Sequence, residues 1–284
     1  MPEIAVIGGS GLYNLEGLTD IREEKVETPF GAPSDSVMIG KMGDREIAFL
    51  PRHGRGHLYL PSEVPYKANI YALKKLGVKY IVAVTAVGSL KEGIKPGEFV
   101  IPDQIFDRTK GIRPSTFFEK GLVGHVAVAD PYCKELSVEV YKAAVETGVD
   151  VHKGGTYVCI EGPTFSTRAE SHSYRHFGFD IIGMTGIPEA KLAREAEIAY
   201  ANISLVTDYD VWHTEDVSVE VVLKTMSENI SKAKKVLEAL LPKLNIKKEC
   251  SCHTAAKYAI QTSKNTVDKN IVKKLEHIVG KYFN

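Results

Sequence analysis

Three short segments, far apart along a chain of 284 residues, carry groups that suit one small anionic ligand. They are Gly8-Gly9-Ser10-Gly11, Pro51-Arg52-His53-Gly54-Arg55-Gly56-His57 and Val84-Thr85-Ala86-Val87-Gly88-Ser89-Leu90. Each follows an apolar run of strand character and so falls where a strand gives way to a loop, where α/β proteins assemble their sites. The first offers the backbone N–H groups of a glycine turn and the Ser10 hydroxyl. The second sets the Arg52 guanidinium beside the His53 imidazole, and the third adds the Thr85 hydroxyl and exposed backbone at Ala86. Such donors match a multiply charged tetrahedral oxyanion. Two later segments, Gly183-Met184-Thr185-Gly186 and Thr207-Asp208-Tyr209-Asp210, also end strand-like runs. If Asp208 and Asp210 alternate in a strand they face one side, so two carboxylates could address one edge of a ligand.

Each motif has a plainer reading. Gly8 to Gly11 could be a tight turn, a dinucleotide loop or a phosphate loop. The full G-x-G-x-x-G spacing fails, because Asn14 stands where the last glycine is needed. His53 and His57 have the i,i+4 spacing of zinc ligands, but that geometry needs a helix, and Gly54 and Gly56 oppose one. His172 and His176 do fall on a helical pattern, as a solvated pair without the neighbouring Glu of a zinc protease. Of the four cysteines, Cys133 and Cys159 read as packing residues. Cys250-Ser251-Cys252-His253 is too compact to surround zinc, and no second knuckle exists. The close pair reads either as two incidental thiols or as a redox pair or staple, with a longer bridge to Cys133 or Cys159 also open. No metal site is expected.

The elements that must position these groups alternate. Strand candidates are Glu3–Ile7, Ser36–Gly40, Glu46–Leu50, Tyr80–Thr85, Glu98–Pro102, Thr156–Ile160, Asp180–Met184 and Ala201–Thr207, with a hairpin turn at Met42-Gly43-Asp44. Helical spacing falls at Tyr66–Leu76, Pro131–Thr147, Thr167–Phe177, Pro188–Ile198 and Val217–Leu241. This alternation predicts an α/β domain with a mixed, largely parallel sheet flanked by helices. Residues 1–241 would form that domain, and 242–284 a C-terminal helical extension packed on it, too short to bury its own core. Lys110–Gly124 is a long irregular connection, and two adjacent Phe argue against simple disorder there.

Composition narrows the function classes. Hydrophobic content of 44% and charged content of 25% are ordinary for a globular protein. Zero formal net charge gives no reason to expect nucleic acid or a membrane as partner. From Pro242 onward nine Lys stand against three acidic residues, which reads as a solvated face. No targeting peptide is visible, and the most apolar run falls far short of the ~20 residues that span a bilayer. A cytoplasmic protein is expected.

Taken jointly and in order over residues 3–241, these segments resemble the 5'-methylthioadenosine phosphorylases of the purine nucleoside phosphorylase superfamily. The resemblance implies phosphate binding by Ser10, Arg52, His53, Thr85, Ala86 and Thr185. It puts Met184 under the ribose and Phe165, in Glu161-Gly162-Pro163-Thr164-Phe165-Ser166, against the purine. Asp208 and Asp210 would read the base, with Asp208 catalytic, and Val219, Val222 and Leu223 would flank the 5' substituent. His125 matches a residue lent by a neighbouring subunit, which implies a homotrimer or a dimer of trimers. Relatives acting on 6-oxopurines carry Glu where this chain has Ser166 and Asn where it has Asp208. A 6-aminopurine presents an N6 donor and an unprotonated N1, which suits an acidic residue facing N6 and N7. Both positions therefore point to adenine. Gly183 stands where some relatives have Asn.

The implied reaction is phosphorolysis of methylthioadenosine, with adenosine as a second candidate substrate, to adenine and a ribose 1-phosphate, with phosphate as co-substrate and no cofactor. The alternatives are a 6-oxopurine nucleoside phosphorylase, a nucleosidase using water, and a dinucleotide-binding protein.

Overall fold

The computed structural model describes residues 1–9, 11–12, 14–213, 219–244 and 250–283; the side chains of residues 219–221 lie outside that description. Its frame is an eleven-stranded mixed sheet. The first strands are β1 (Ile4–Gly8), β2 (Leu18–Glu24), β3 (Val37–Met42) and β4 (Arg45–Pro51). After α1 (Tyr66–Lys75) come β5 (Tyr80–Ser89), β6 (Phe99–Ile101) and β7 (Gln104–Arg108). Next are α2 (Lys134–Glu146), β8 (Val151–Lys153), β9 (Thr156–Ile160), α3 (Arg168–His176) and β10 (Ile181–Gly183). The chain continues through α4 (Gly186–Glu195), β11 (Ala199–Asp208), α5 (Val219–Leu240), α6 (Lys269–Lys274) and α7 (Glu276–Val279).

Strand order is β2-β3-β4-β1-β5-β10-β9-β7, with β11 also paired to β5 and β6, and β6 to β8. The expected hairpin joins β3 to β4, with Gly43 at φ 60° and Met42 opposite Arg45. A positive φ there costs glycine nothing. The alternation of β1 sorts the two sides of the sheet. Ala5 and Ile7 face a core closed by α1, α4 and α7, whereas Ile4 and Val6 face one closed by α2 and α5. Leu275, Ile278 and Val279 of the C-terminal segment are buried in the first core, and Cys252 in the second. Among the described residues no helix is long and apolar enough to cross a membrane.

The structure corrects the expectations in two respects. Three strands fall outside them: β2 is a charged edge with five exposed residues in a row, β8 has only three residues, and β7 is mostly exposed. None buries an alternating apolar face, the signal a sequence reading depends on. The long connection is irregular, as expected, yet it is packed: Arg113, Phe117, Phe118 and Leu122 are all buried.

Candidate active site

The site begins with a break in the sheet. On one edge of β5, β1 pairs as far as Ala83, and antiparallel β10 takes over only at Gly88. Among the described residues Val84 to Val87 therefore have no strand partner on that edge, while β11 pairs with the whole stretch on the other. Ala86 is exposed between buried neighbours, so this stretch opens to solvent. Binding sites of α/β sheets form at such splits, where neighbouring strands depart in different directions. The Gly8-Gly9 turn borders one side of the gap, and the Gly183–Thr185 segment borders the other. A Cβ at Gly9 would meet nothing within 4 Å, so that backbone stands clear for a ligand.

Arg52 ties the borders together. Its N–H donates to Gly8 O (2.9 Å) and its Nη1 to Val84 O (3.0 Å). Its fork, however, faces a protein carboxylate: Nε and Nη2 each lie 2.8 Å from an oxygen of Glu189, one turn into α4. Both side chains are buried, at 3% and 1% exposure. Burial opposes the guanidinium charge, but the Glu189 carboxylate more than restores it, and the Arg52 pKa is held above its ordinary value. Nη2 also points at Ile7 O (3.5 Å), and one Nη1 proton has no partner among the described residues. Glu189, which also accepts from Tyr200 Oη (2.8 Å), has no counterpart in the sequence reading. An acidic residue in a helix's first turn looks like an ordinary dipole partner.

His53 Nδ1 lies 2.8 Å from Tyr59 O. A carbonyl only accepts, so the neutral ring carries its proton on Nδ1 and keeps Nε2 as an acceptor. Burial lowers the His53 pKa to about 4, against the pull of the Tyr59 bond and with the Arg52 charge adding to it. Gly54 and Gly56 have φ of +72° and +84°, so the segment is a turn, and the His53 and His57 rings stack 4.3 Å apart within it. Thr85 is buried, and its hydroxyl lies 3.0 Å from Asn202 Oδ1 on β11.

Across the gap, Thr185 is buried at the N-cap of α4, with its N–H 3.4 Å from Tyr157 Oη. Glycine is required here for space: a Cβ at Gly183 would lie 2.1 Å from Tyr157 Oη, so that hydroxyl occupies the room a larger residue would use. Met184 is locked from two sides. A Cβ at Gly162 would strike its sulfur at 2.5 Å, and Arg113 Nη1 donates to Met184 O and Ile187 O, both at 2.7 Å. Arg113 Nε also bonds Glu161 Oε1 at 2.7 Å, and its side chain is 1% exposed. This buried arginine, invisible as a motif, holds the Met184–Ile187 loop on the end of β9.

Asp208 ends β11, but Asp210 starts a 3-10 turn at φ 43°. They are thus not alternate members of one strand, and the turn supplies the convergence instead. A Cβ built on Gly88 would meet Asp208 Oδ1 at 3.0 Å and Asp210 Cβ at 3.2 Å. Asp208 Oδ1 accepts from Asp210 N–H (2.8 Å), and Thr207 Oγ1 lies 2.7 Å from its Oδ2. Burial raises the Asp208 pKa despite these two donors. Burial also raises Asp210, whose carboxylate accepts from the Ser171 hydroxyl.

The remaining candidates are more scattered. Ser166 is buried and Phe165 is 73% exposed on the segment after β9. Asn229 Nδ2 fastens α5 to Val206 O at 2.8 Å, two residues before Asp208, and nearer the helix start Val222 is half-buried and Leu223 exposed. Ser10 lies outside the described residues, and Val219 is described in its backbone alone. His125 is exposed, its N–H bonded to Ala259 O (2.9 Å), and no described contact brings it to the strand ends.

Known proteins resemble this chain over most of its length. The family model of the phosphorylase superfamily matches residues 3–242. The chain is 53% identical over 281 residues to an S-methyl-5'-thioadenosine phosphorylase of Geobacter sulfurreducens, covering 98% of each chain. It is 53% identical over 262 residues to one of Hyperthermus butylicus, covering 91% of this chain and 95% of that one. Among solved structures, a methylthioadenosine phosphorylase from an antarctic soil metagenomic library superposes with a TM-score of 0.94 at 48% identity over 98% of both chains. A Schistosoma mansoni adenosine/methylthioadenosine phosphorylase mutant in complex with methylthioadenosine gives 0.80 at 34% identity, over 99% of this chain and 98% of that one.

Proposed function

The chain belongs to the phosphorylase superfamily, and on that premise we propose that it catalyses phosphorolysis of 5'-methylthioadenosine to adenine and 5-methylthioribose 1-phosphate. The observation that carries the reading is the spacing of two chemistries along β5. Anion-suited groups gather at Thr85, and two carboxylates of raised pKa converge at Gly88. Three residues of strand span about 10 Å, room for a ribose and a purine between them.

In this reading phosphate lies over the β5 gap, bound by Thr85, Ala86 and Thr185, the Gly9 backbone, the Ser10 hydroxyl and the spare Arg52 proton, while His53 Nε2 accepts from the O–H of hydrogen phosphate. It attacks C1' as the C1'–N9 bond breaks, and the bonding pair leaves with adenine. The ribosyl group gains cationic character beside the anion, which stabilises it and is already in place. Asp208 in its acid form donates to N7, and the raised pKa keeps that form available; such proton assistance is worth roughly 10²–10⁴-fold. Met184, fixed by Arg113, supports the ribose. Phe165 and Ser166 border the base, Asp210 reads it, and Val219, Val222 and Leu223 flank the 5' group. The site needs phosphate as co-substrate and no organic cofactor.

The active enzyme is a homotrimer or a dimer of trimers working in the cytoplasm, with His125 completing a neighbour's pocket. What supports the assembly is exposed apolar surface beside it: Val123 (46% exposed) and Tyr258 (84%) lie on the two segments that pair at Gly124 and Ile260. Light scattering should find three or six chains per particle, and a fully active monomer would sink both the assembly and the role of His125. For substrate, kcat/KM for methylthioadenosine should exceed that for methylthioinosine; the reverse order would favour a 6-oxopurine enzyme.

A further inference from the structure

The fold brings together three thiols that the sequence keeps apart. Cys133 caps the start of α2, and its Sγ lies 3.9 Å from Cys250 Sγ, 117 residues later in the chain. With Cys252 they form a trio whose sulfurs all lie within 4.8 Å of one another, and all three are free thiols. The fourth cysteine, Cys159, sits apart in β9.

We propose that Cys133, Cys250 and Cys252 form a structural site for a thiophilic d¹⁰ cation, zinc in the first instance, remote from the nucleoside pocket. Sulfurs on one zinc at about 2.3 Å stand about 3.8 Å apart, which is the spacing Cys133 and Cys250 already hold. Three thiolates leave one tetrahedral position. A cavity of about 120 Å³ lies alongside, lined by Cys133, Cys250, Tyr80, Glu135 and Glu139. It gives an ion its route in and leaves room for a water as fourth ligand. Glu135 is the protein alternative, its Oε2 being 3.4 Å from Cys133 Sγ. Three thiolates and one Zn²⁺ sum to a single negative charge, and Arg194 Nη1, 3.3 Å from Cys252 Sγ, stands ready to balance it. Arg194 also donates to Asp130 O, so its head is held in place.

The site would tie the C-terminal segment to the start of α2. Binding exchanges three S–H protons for three Zn–S bonds, so the step is proton release with no oxidant required. Four residues such as Cys250 to His253 cannot surround a metal, and that argument fails here only because folding delivers Cys133.

The test uses the full-length protein, reduced, stripped with a chelator and dialysed against Zn²⁺, with Co²⁺ as a spectroscopic probe. One Zn²⁺ should bind per chain, and Co²⁺ should give an intense thiolate-to-cobalt charge-transfer band. Cys133→Ser, a one-atom change, should abolish the band and weaken Zn²⁺ by at least the roughly 100-fold that milder outer-shell changes cost. Cys159→Ser should alter neither. Should Cys133→Ser fail to fold, Cys252→Ala carries the same comparison. A saturated protein without the band overturns the proposal, as does affinity indifferent to Cys133 and Cys252. So does a mass two hydrogens short in protein purified under reductant, which would assign the cluster to a disulfide.

Discussion

Replacing Arg52 with alanine should strike the protein twice, and the two effects can be separated. Glu189 is buried, and without Arg52 its Oε2 loses the Nε donor at 2.8 Å while Oε1 keeps only Tyr200 Oη. Removing one partner of a buried ion pair costs about 3–5 kcal/mol. At roughly 2 °C per kcal/mol for a chain of this size, the thermal midpoint should fall by about 6–10 °C. Losing a charge-assisted contact to phosphate, worth roughly 1.5–3 kcal/mol, should also raise the phosphate KM roughly 10- to 150-fold. The double variant Arg52→Met/Glu189→Gln tells these apart. It leaves no stranded charge, so the midpoint should recover most of the loss, yet the phosphate KM should stay high. The assays are thermal unfolding without ligand and initial rates against phosphate. Recovery of both quantities would make Arg52 a structural residue only. A single variant with an unchanged midpoint would show that the buried pair contributes nothing to the fold.

Other outcomes follow from the same geometry. Asp208→Asn should cut turnover of aminopurine nucleosides by roughly 10²–10⁴-fold and shift preference toward 6-oxopurines, since Asn bonds a 6-oxo group but supplies no acid. Wild-type turnover should also fall as pH rises through the raised Asp208 pKa, and equal loss on both substrate classes would remove Asp208 from the base site. His53 is neutral when folded down to about pH 4, whereas the unfolded chain takes up a proton near 6.5. Its contribution to stability is thus complete above pH 6.5 and is lost as pH falls toward 4; in chemical denaturation His53→Gln should show a shallower acid decline, and an unchanged slope would contradict the burial argument. Arg113→Lys cannot keep bonds to Met184 O, Ile187 O and Glu161 together. It should lower kcat and raise the nucleoside KM, and kinetics matching the wild type would mean that the loop positions itself.

The sequence showed most clearly what periodicity and glycine punctuation can carry. Ile4 to Gly8, Arg45 to Pro51 and Ala199 to Asp208 announce themselves as apolar runs ended by turn residues, and each strand lies within two residues of expectation at either end. Strand β2 did not, because an exposed edge buries no alternating face. Of the candidate site, the segments around Arg52, Thr85, Thr185 and Asp208 could be placed at strand ends, because their residue types are unusual there. Their supports could not be placed. Glu189, Tyr157 and Arg113 act through distances that only folding sets, and each looks in sequence like an ordinary helix acid, strand aromatic or loop cation. The gap between Ala83 and Gly88 was hidden too, since a run that is apolar but for Thr85 does not reveal that its partner strand changes halfway along. The segment around Arg52 displays an anion-suited guanidinium but not the Glu189 carboxylate that a buried guanidinium needs.

The most direct test is adenine release from 5'-methylthioadenosine by purified enzyme, with phosphate present and with phosphate rigorously removed. Phosphorolysis predicts saturable dependence on phosphate, stoichiometric 5-methylthioribose 1-phosphate, and negligible release without it. Release at an undiminished rate in phosphate-free buffer, with free methylthioribose as product, would make water the nucleophile and contradict the assignment of the β5 gap to phosphate.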